Sequence, residues 1–419
     1  MHVPDGFINA PVSAAAGAVA VAAVAAGLRG ARRETAAHGA AGGPGGERTA
    51  PLAGLVAAFV FAVQMLNFPV AAGTSGHLLG GALAAILVGP CTGLLCLAVV
   101  LLLQSVLFAD GGLTALGVNI TLIGVVTVVV AYGLFRGLLA VLPRRRSAIT
   151  AATFVAALVS VPVSAVAFTL LYGIGGTTDV PFGTVLAAMT GVHVLIGVGE
   201  ALITTATVGA VLAVRPDLVH GARDRVAVPL RLRVAGQLVD APAASPARPA
   251  GRPSRAVALT GLTIAVVLAG FVSFYASTSP DGLERVAVDQ GFADSADDHT
   301  GTDWPLADYG VADIADDRLS GGLAGVIGVG ATVVTGTLVL RAAAARRRGA
   351  ALPGAEPSGA GDAGAGASGS APADTTDGTG TPAARRPGAG GSVPPPPDPS
   401  VPSVPSVPSV PPAPAPERD

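Results

Sequence analysis

The chain has 419 residues, of which 51% are hydrophobic and only 12% are charged, and its mean hydropathy is +0.63. Soluble domains carry about 25% charged residues, so this composition excludes an ordinary soluble enzyme. All 25 basic residues are Arg and the formal net charge is −2, which argues against nucleic-acid binding.

Apolar segments of roughly 20 residues, long enough to cross about 30 Å of hydrocarbon, recur along the chain. They lie near 8–28, 51–69, 91–108, 114–135, 150–174, 185–214, 256–278 and 321–340. A shorter segment at 78–89 ends at Gly89-Pro90 and is either a short helix or a re-entrant one. Cys91 and Cys96, the two cysteines, lie in an apolar segment, which predicts ordinary membrane-core packing and excludes a disulfide scaffold.

Arginine clusters indicate how many segments cross, because Arg gathers in cytoplasmic loops. The clusters are Arg29, Arg32, Arg33 and Arg48; Arg136 and Arg144 to Arg146; Arg215, Arg223, Arg225, Arg231 and Arg233; and Arg341 with Arg346 to Arg348. They share one side only if 78–89 also crosses. We therefore predict nine spans in a bacterial plasma membrane, with the N-terminus outside and the C-terminus in the cytoplasm.

The first apolar segment differs from a cleaved signal peptide. No Arg precedes it, Asp5 does, and its positive charges follow instead. We therefore expect Met1 to remain in the mature protein.

Composition divides the chain into four regions. Residues 1–214 form a seven-span body, and 215–255 form a cytoplasmic linker rich in Pro and Arg. Residues 256–341 hold two spans around a loop of about 40 residues. Residues 342–419, rich in Gly, Ala, Ser and Pro, are predicted to be a disordered or polyproline-like tail, and a spacer is favoured over an SH3-type ligand.

The loop at 281–320 is the most acidic part of the chain, with ten Asp and one Glu against two Arg. One interpretation is that it concentrates cations at the outer face. The other is that Asp simply keeps an outer loop soluble. The carboxylates lack the spacing of a calcium-binding loop.

His2 is the first candidate metal ligand. Together with a free terminal amine, the His2 amide nitrogen and imidazole close adjacent small chelate rings that lie nearly in one plane. A fourth nitrogen completes a tetragonal set that suits Ni(II) or Cu(II), with Co(II) accessible. The arrangement requires a deformylated amine on a retained Met1.

His77 is the best candidate for the fourth nitrogen, because it begins the 78–89 segment on the side predicted for His2. A loop rich in Gly, Ser and Thr at membrane depth lets irregular backbone pack between helices. Asn67 and Asp110 are candidate outer-shell partners that would orient the imidazoles. The alternative for His77 is an interfacial hydrogen-bonding role.

His193 and Glu200 lie seven residues apart in one span and therefore share a helix face. Ionisable groups inside a span usually face a cavity or a partner. The pair is either a mutually satisfied polar contact, which we favour, or a relay or coupling contact.

Four sequence motifs resemble the CbiM/NikM family, the substrate-binding S components of energy-coupling-factor cobalt and nickel importers. They are MHVPDGF at 1–7, AGTSGHLLGG at 72–81, FADGGLTALG at 108–117 and GVHVLIGVGEALIT at 191–204. SPDGLE at 279–284 and PLADY at 305–309 resemble the two-span PDGLE module of the small CbiN/NikN subunit. The chain therefore looks like a fusion of the two.

The resemblance implies an all-α polytopic membrane protein in which a seven-helix bundle holds one metal ion and a two-helix module follows. The family's ligands fall here on the Met1 amine, the His2 amide and imidazole, and His77. A transmembrane T subunit and ATPase A subunits would supply the energy, consistent with the lack of a Walker A motif. The sequence does not choose between Co(II) and Ni(II).

A membrane metal sensor or a metal-dependent intramembrane enzyme that uses the same His residues is the alternative. A transport role independent of metal is a weaker third one.

Overall fold

The computed structural model describes residues 1–40, 46–71, 73–226, 231–234, 237–240 and 254–345. Seven helices in these residues are long and apolar enough to cross a membrane. They are Ala10–Glu34, Pro90–Leu107, Leu116–Val141, Arg146–Gly175, Phe182–Val214, Ala256–Tyr275 and Asp317–Ala343. The predicted all-α polytopic fold is confirmed. Most of the predicted tail, from 346 onward, lies outside the described residues, as do parts of the predicted linker.

The body runs from α1 to α8, with one small hairpin of strands. Its elements are α1 (Ala10–Ala40), α2 (Gly46–Gln64), β1 (Phe68–Ala71), β2 (Thr74–Gly76), α3 (Gly81–Val88), α4 (Pro90–Leu107), α5 (Leu116–Asn119), α6 (Thr127–Val141), α7 (Arg146–Gly175) and α8 (Phe182–Val214). A π-helical segment, Ile120–Val126, joins α5 to α6 in one continuous span. β1 and β2 pair antiparallel and carry the chain toward His77.

Short elements follow the body before the last long helices. They are helical turns at Pro216–Leu218 and His220–Ala222, α9 (Arg223–Val226), β3 (Arg231–Val234) and β4 (Gln237–Asp240). α10 (Ser254–Gly270), α11 (Gly282–Gln290) and α12 (Asp317–Ala345) complete the described chain, with turns at Val272–Tyr275, Ala293–Ser295 and Ala307–Tyr309. Val219 and Ala222 are fully buried, so the packed body continues past the end of α8.

α3 is shorter than the segment that the sequence predicted over 78–89. Gly80, with φ 84°, precedes it, and Gly89, with φ 100°, ends it. Its eight residues span about 12 Å at 1.5 Å per residue, less than half the hydrocarbon thickness. All eight are buried, and Gly93 lets α4 turn back closely along the backbone of Ala84. The structure therefore shows the short helix of the two alternatives given for this segment, enclosed by longer helices.

Hydrogen bonds between connecting segments define two ends of the bundle. At the first end, Asp297 N donates to Asp5 O (2.9 Å), Ser277 N to Asn67 O (2.7 Å) and Asp308 N to Phe108 O (2.9 Å). At the second end, Arg136 donates to Gly221 O (3.1 Å), Arg225 to Leu142 O (3.0 Å) and Arg32 to Ala343 O (2.7 Å). In the described residues, the loops with the predicted Arg clusters meet at the second end.

Small residues allow α12 to pack against α2. A Cβ atom on Gly54 would lie 2.8 Å from the Val333 carbonyl oxygen and 2.3 Å from the Thr337 hydroxyl. Where Phe61 of α2 contacts Phe108, Tyr309 also stacks on Phe108, with centroids 4.8 Å apart. The C-terminal helices and their loop therefore pack on the body through close backbone contact and an aromatic cluster.

Gly117 provides a test of the close crossing between α1 and α5. A Cβ atom on Gly117 would lie 2.3 Å from the Cα of Gly17, whereas one on Gly137 would meet nothing within 4 Å. We expect Gly117→Ala to lower stability by about 1–3 kcal/mol through overpacking. The matched change Gly137→Ala should be neutral or stabilising by up to about 1 kcal/mol. Thermal unfolding midpoints in detergent measure both, and equal midpoints would contradict the crossing.

Candidate metal centre

The first residues of the chain enter the first end of the bundle and are held there by hydrogen bonds. Val3 N donates to Asn119 Oδ1 (2.7 Å), and Asn119 Nδ2 donates to Val3 O (3.0 Å). Gly112 N donates to the same carbonyl at 3.0 Å. Met1, Val3 and Phe7 are buried. The N-terminal segment is therefore fixed from both sides, although it is neither helix nor strand.

Asp5 anchors this segment to the start of α5. Its carboxylate accepts hydrogen bonds from the backbone N–H groups of Leu113, Thr114 and Ala115, at 2.9–3.0 Å. A carboxylate at a helix N-terminus satisfies free donors and interacts favourably with the helix dipole. Gly6 follows with φ +90°, and a Cβ atom there would lie 2.2 Å from the Ser295 carbonyl oxygen. Only glycine fits this approach to the acidic loop.

The terminal amine lies between His77 and Asp281. Met1 N is 2.6 Å from His77 Nε2 and donates to Asp281 Oδ2 at 2.5 Å. His77 Nδ1 is 3.0 Å from Leu78 O, so a tautomer with its proton on Nδ1 leaves the Nε2 lone pair facing the amine. Met1 as a whole is 3% exposed, so the amine is buried.

Side chains from α2 and α8 hold the backbone next to His77. Glu200 accepts from Leu79 N (2.6 Å) and Gly80 N (3.1 Å), and Gln64 Nε2 donates to Leu79 O (2.9 Å). These bonds satisfy the polar backbone that precedes α3, which would otherwise be costly inside the bundle. They hold in place the backbone from which the His77 imidazole extends.

His2 lies beside His77. Its Nδ1 is 3.1 Å from Asp110 Oδ1, and Tyr309 Oη donates to Asp110 Oδ2 at 2.6 Å. The His2 and His77 rings stack with centroids 4.9 Å apart and 6° between their planes. His2 Nε2 is buried and has no hydrogen-bond partner, and no hydrogen bond from the His2 amide nitrogen is present among the described residues.

Burial and neighbouring charge set the protonation of the site. Burial and the nearby amine lower the pKa of His77, which favours its neutral, metal-binding form. Burial acts to raise the pKa of the Asp281 carboxyl, but the Met1 amine and His77 hold it well below its ordinary value. The pKa of Asp110 is also held low, against the effect of burial, by His2 and by Tyr309. Two carboxylates therefore face the nitrogen cluster at neutral pH.

The structure brings together the predicted residues Met1, His2, His77 and Asp110. Asn67 makes no hydrogen bond to either imidazole among the described residues: its backbone carbonyl accepts from Ser277 N, and its buried Oδ1 has no partner.

His193 and Glu200 have separate partners rather than each other. His193 Nδ1 is 2.8 Å from Met189 O, while Glu200 binds the backbone of Leu79 and Gly80. Glu200 thus supports the His77 loop, and the predicted mutual contact is not among the hydrogen bonds observed.

Two further residues of the cluster, Asp281 and Tyr309, had no role assigned from the sequence, while Asn119, predicted as an interhelical hydrogen-bonding residue, binds the backbone of Val3 instead. Asp281 and Tyr309 lie inside the SPDGLE and PLADY motifs, so the motifs were visible but their contacts were not. No group of three or more His, Cys, Asp or Glu side chains in the described residues is arranged to hold a metal.

Comparisons with known proteins identify both parts of the chain. The model of the CbiM family, described as the cobalt uptake substrate-specific transmembrane region, matches residues 2–218, just over half of the chain. The PDGLE domain model matches residues 255–345. A protein of Haloquadratum walsbyi named for metal transport is 39% identical over 219 residues, covering 52% of this chain and 93% of that protein.

Relatives named for nickel and for cobalt are both present. The fused nickel transport protein NikMN of Rhodobacter capsulatus is 29% identical over 247 residues, covering 56% of this chain and 68% of its own. The cobalt transport protein CbiM of Geobacter sulfurreducens is 34% identical over 173 residues, covering 40% of this chain and 49% of that protein. A crystal structure of a truncated transition metal transporter covers 51% of this chain and 99% of its own, at 25% identity and a TM-score of 0.43.

Asn119 tests whether the anchored N-terminal segment matters for metal binding. Asn119→Ala removes both hydrogen bonds to Val3, and partners that orient ligands typically contribute 10–100-fold in affinity. We expect about a tenfold weaker Kd for Ni(II), measured by calorimetric titration of the purified chain. Ser164→Ala, which removes an interhelical hydrogen bond to Leu122 O, is the matched control and should leave the Kd unchanged. Equal affinities in both variants would refute the anchoring role.

Proposed function

Because the chain belongs to the CbiM family and carries a PDGLE domain, it is a membrane component of metal transport, and we propose that it captures Co(II) or Ni(II) for an energy-coupling-factor importer. The observation that carries the proposal is the buried terminal amine 2.6 Å from His77 Nε2, with His2 beside it. The metal is cargo, held until it is passed inward.

The distance between the amine and His77 suits two ligands of one ion. Nitrogens bound at about 2.0 Å, the usual length for imidazole, and at right angles to each other lie about 2.8 Å apart. The observed 2.6 Å is close to that separation. In a tetragonal set made of the amine, the His2 amide, the His2 imidazole and His77, the last ligand lies next to the amine. The spacing therefore supports the proposed ligand order.

His2 would supply two of the four nitrogens. Its amide nitrogen makes no hydrogen bond among the described residues, so metal binding at that atom breaks no existing contact. Chelation with that amide uses Nδ1, since Nε2 cannot reach back to its own backbone. We expect the ring to turn so that Asp110 accepts a hydrogen bond from Nε2 instead of Nδ1. A carboxylate on the distal nitrogen of a ligating His is the usual outer-shell arrangement.

Charge balance supports binding of a divalent ion. The amine loses one proton and the amide loses another when the metal binds, so the net charge of the cluster is unchanged by the exchange. Asp110 and Asp281 then face the same positive charge before and after loading. A buried site tolerates charge only when it is paired in this way.

Translocation would depend on partner subunits. We assign ATP hydrolysis to separate A subunits and the coupling to a transmembrane T subunit, because the sequence contains no Walker A motif. The end of the bundle that holds the metal centre would face outward and the Arg-rich end would lie in the cytoplasm, because Arg in short loops favours the cytoplasmic side. This orientation places the metal centre where it meets external ions.

Uptake assays with the assembled transporter test the proposal. His2→Ala and His77→Ala should each abolish Co(II) and Ni(II) uptake by cells, because each removes a ligand, while the amount of protein in the membrane stays unchanged. His299→Ala is the control: this His lies in the acidic loop, where its Nδ1 accepts from Gly301 N (2.9 Å). Wild-type uptake in His2→Ala would overturn the proposal. Catalytic turnover by the purified chain without partners would instead favour an enzyme.

Mass spectrometry of the mature protein provides an independent check. The proposed ligand set requires Met1 with an unformylated, unacetylated amine, so the intact mass should correspond to a chain that begins at that residue. A blocked amine, or a chain that begins later, would remove one ligand and contradict the proposal.

A further inference from the structure

The two carboxylate oxygens of Asp281 have different partners. Oδ1 accepts from Leu283 N (2.7 Å) and Glu284 N (3.0 Å), which caps α11. Oδ2 accepts from the Met1 amine at 2.5 Å and lies 3.6 Å from His77 Nε2. The capping bonds alone would be made as well by Asn, which is also a good N-cap residue. The contact to the amine uses the charge that Asn lacks.

We propose that Asp281 is a positioning residue of the metal centre, through which the PDGLE domain holds the terminal amine opposite His77. The proposal rests on the proposed function and assigns to the PDGLE domain a direct part in metal capture. Asp281 does not bind the metal itself. It holds in place the amine nitrogen that binds the metal.

The same contact can persist when the metal is bound. An amine ligand keeps two N–H groups after its lone pair is used, so one of them can still donate to Oδ2. The ammonium that Asp281 faces in the free site carries one positive charge. A divalent ion bound to a deprotonated amide also contributes a net charge of one. The electrostatic attraction that holds Asp281 is therefore unchanged by loading. A carboxylate that only blocked the site would have to move away during loading.

The position of Asp281 is fixed from outside α11. Ser75, two residues before His77, donates its N–H to Pro280 O (2.9 Å) and its hydroxyl to Ser279 O (2.7 Å). A Cβ atom on Gly282 would lie 2.6 Å from Ile196 Cδ1, so α11 begins in close contact with α8. The loop that carries His77 and the segment that carries Asp281 are therefore tied together.

The lack of Lys makes the contact measurable. The sequence contains no Lys, so the α-amine is the sole primary amine of the chain. Reductive methylation of the full-length protein in nanodiscs therefore reports on Met1 alone. We would compare the wild type with Asp281→Asn, which keeps the cap but loses the charge, and with Glu284→Gln. Glu284 accepts from Asp281 N (2.9 Å) in the same capping box and does not contact the amine.

In Asp281→Asn we expect methylation of the metal-free protein to be at least about tenfold faster and the Kd for Ni(II) to be about 10–100-fold weaker, as for loss of a hydrogen bond to a charged group. Glu284→Gln should match the wild type in both. A destabilised helix alone would affect both variants, so thermal midpoints are recorded alongside.

Unchanged methylation and an unchanged Kd in Asp281→Asn would overturn the inference. Tighter Ni(II) binding in this variant would also overturn it, because it would mean that the carboxylate competes with the metal. The outcome is separable from the proposed function. If His2→Ala abolishes Ni(II) binding while Asp281→Asn does not weaken it, the metal site stands and only the role of Asp281 fails. If His2→Ala binds normally, the proposed function fails.

Discussion

The arrangement of the first end of the bundle depends on a buried positive charge. The Met1 amine is almost fully enclosed, and a charge taken out of water must be paired and hydrogen-bonded. Its partners come from positions 76 and 280 residues further along the chain. The amine therefore joins the N-terminal segment, the His77 loop and the start of α11. No helix or strand pairing connects these three segments to one another.

The rest of the first end supports this contact through hydrogen bonds to the backbone as well as through a buried apolar cluster that includes Phe7 and Phe292. Asn119 and Asp5 hold the N-terminal segment, Glu200 holds the backbone after His77, and Ser75 holds the segment before Asp281. Irregular backbone is tolerated at this depth because side chains and neighbouring backbone supply hydrogen bonds that a helix would otherwise make within itself. The long helices provide the frame to which these side chains are attached.

Hydropathy and Arg placement predicted the long helices well, because the length of a span and the side on which Arg gathers follow from the membrane itself. The chemistry of an amine next to His2 predicted the cluster of Met1, His2 and His77 as a hypothesis, and the structure places these residues together. Asp281 was not predicted as a partner, since its contact depends on how the two domains pack. For 78–89 the sequence left open a short helix or a re-entrant one, because hydropathy does not register the backbone angles of Gly80 and Gly89 that bound the short helix in the structure.

The burial of the first residue has a consequence for biosynthesis. A formylated or acetylated Met1 would have no charged amine to pair with Asp281, so the contact requires an unblocked amine before the first end closes. Because Asp281 lies 280 residues after Met1, the docking site is completed only when about two thirds of the 419-residue chain has been synthesised. An affinity tag or fusion partner ahead of Met1 would occupy the space of these partners, so purification handles belong at the opposite terminus.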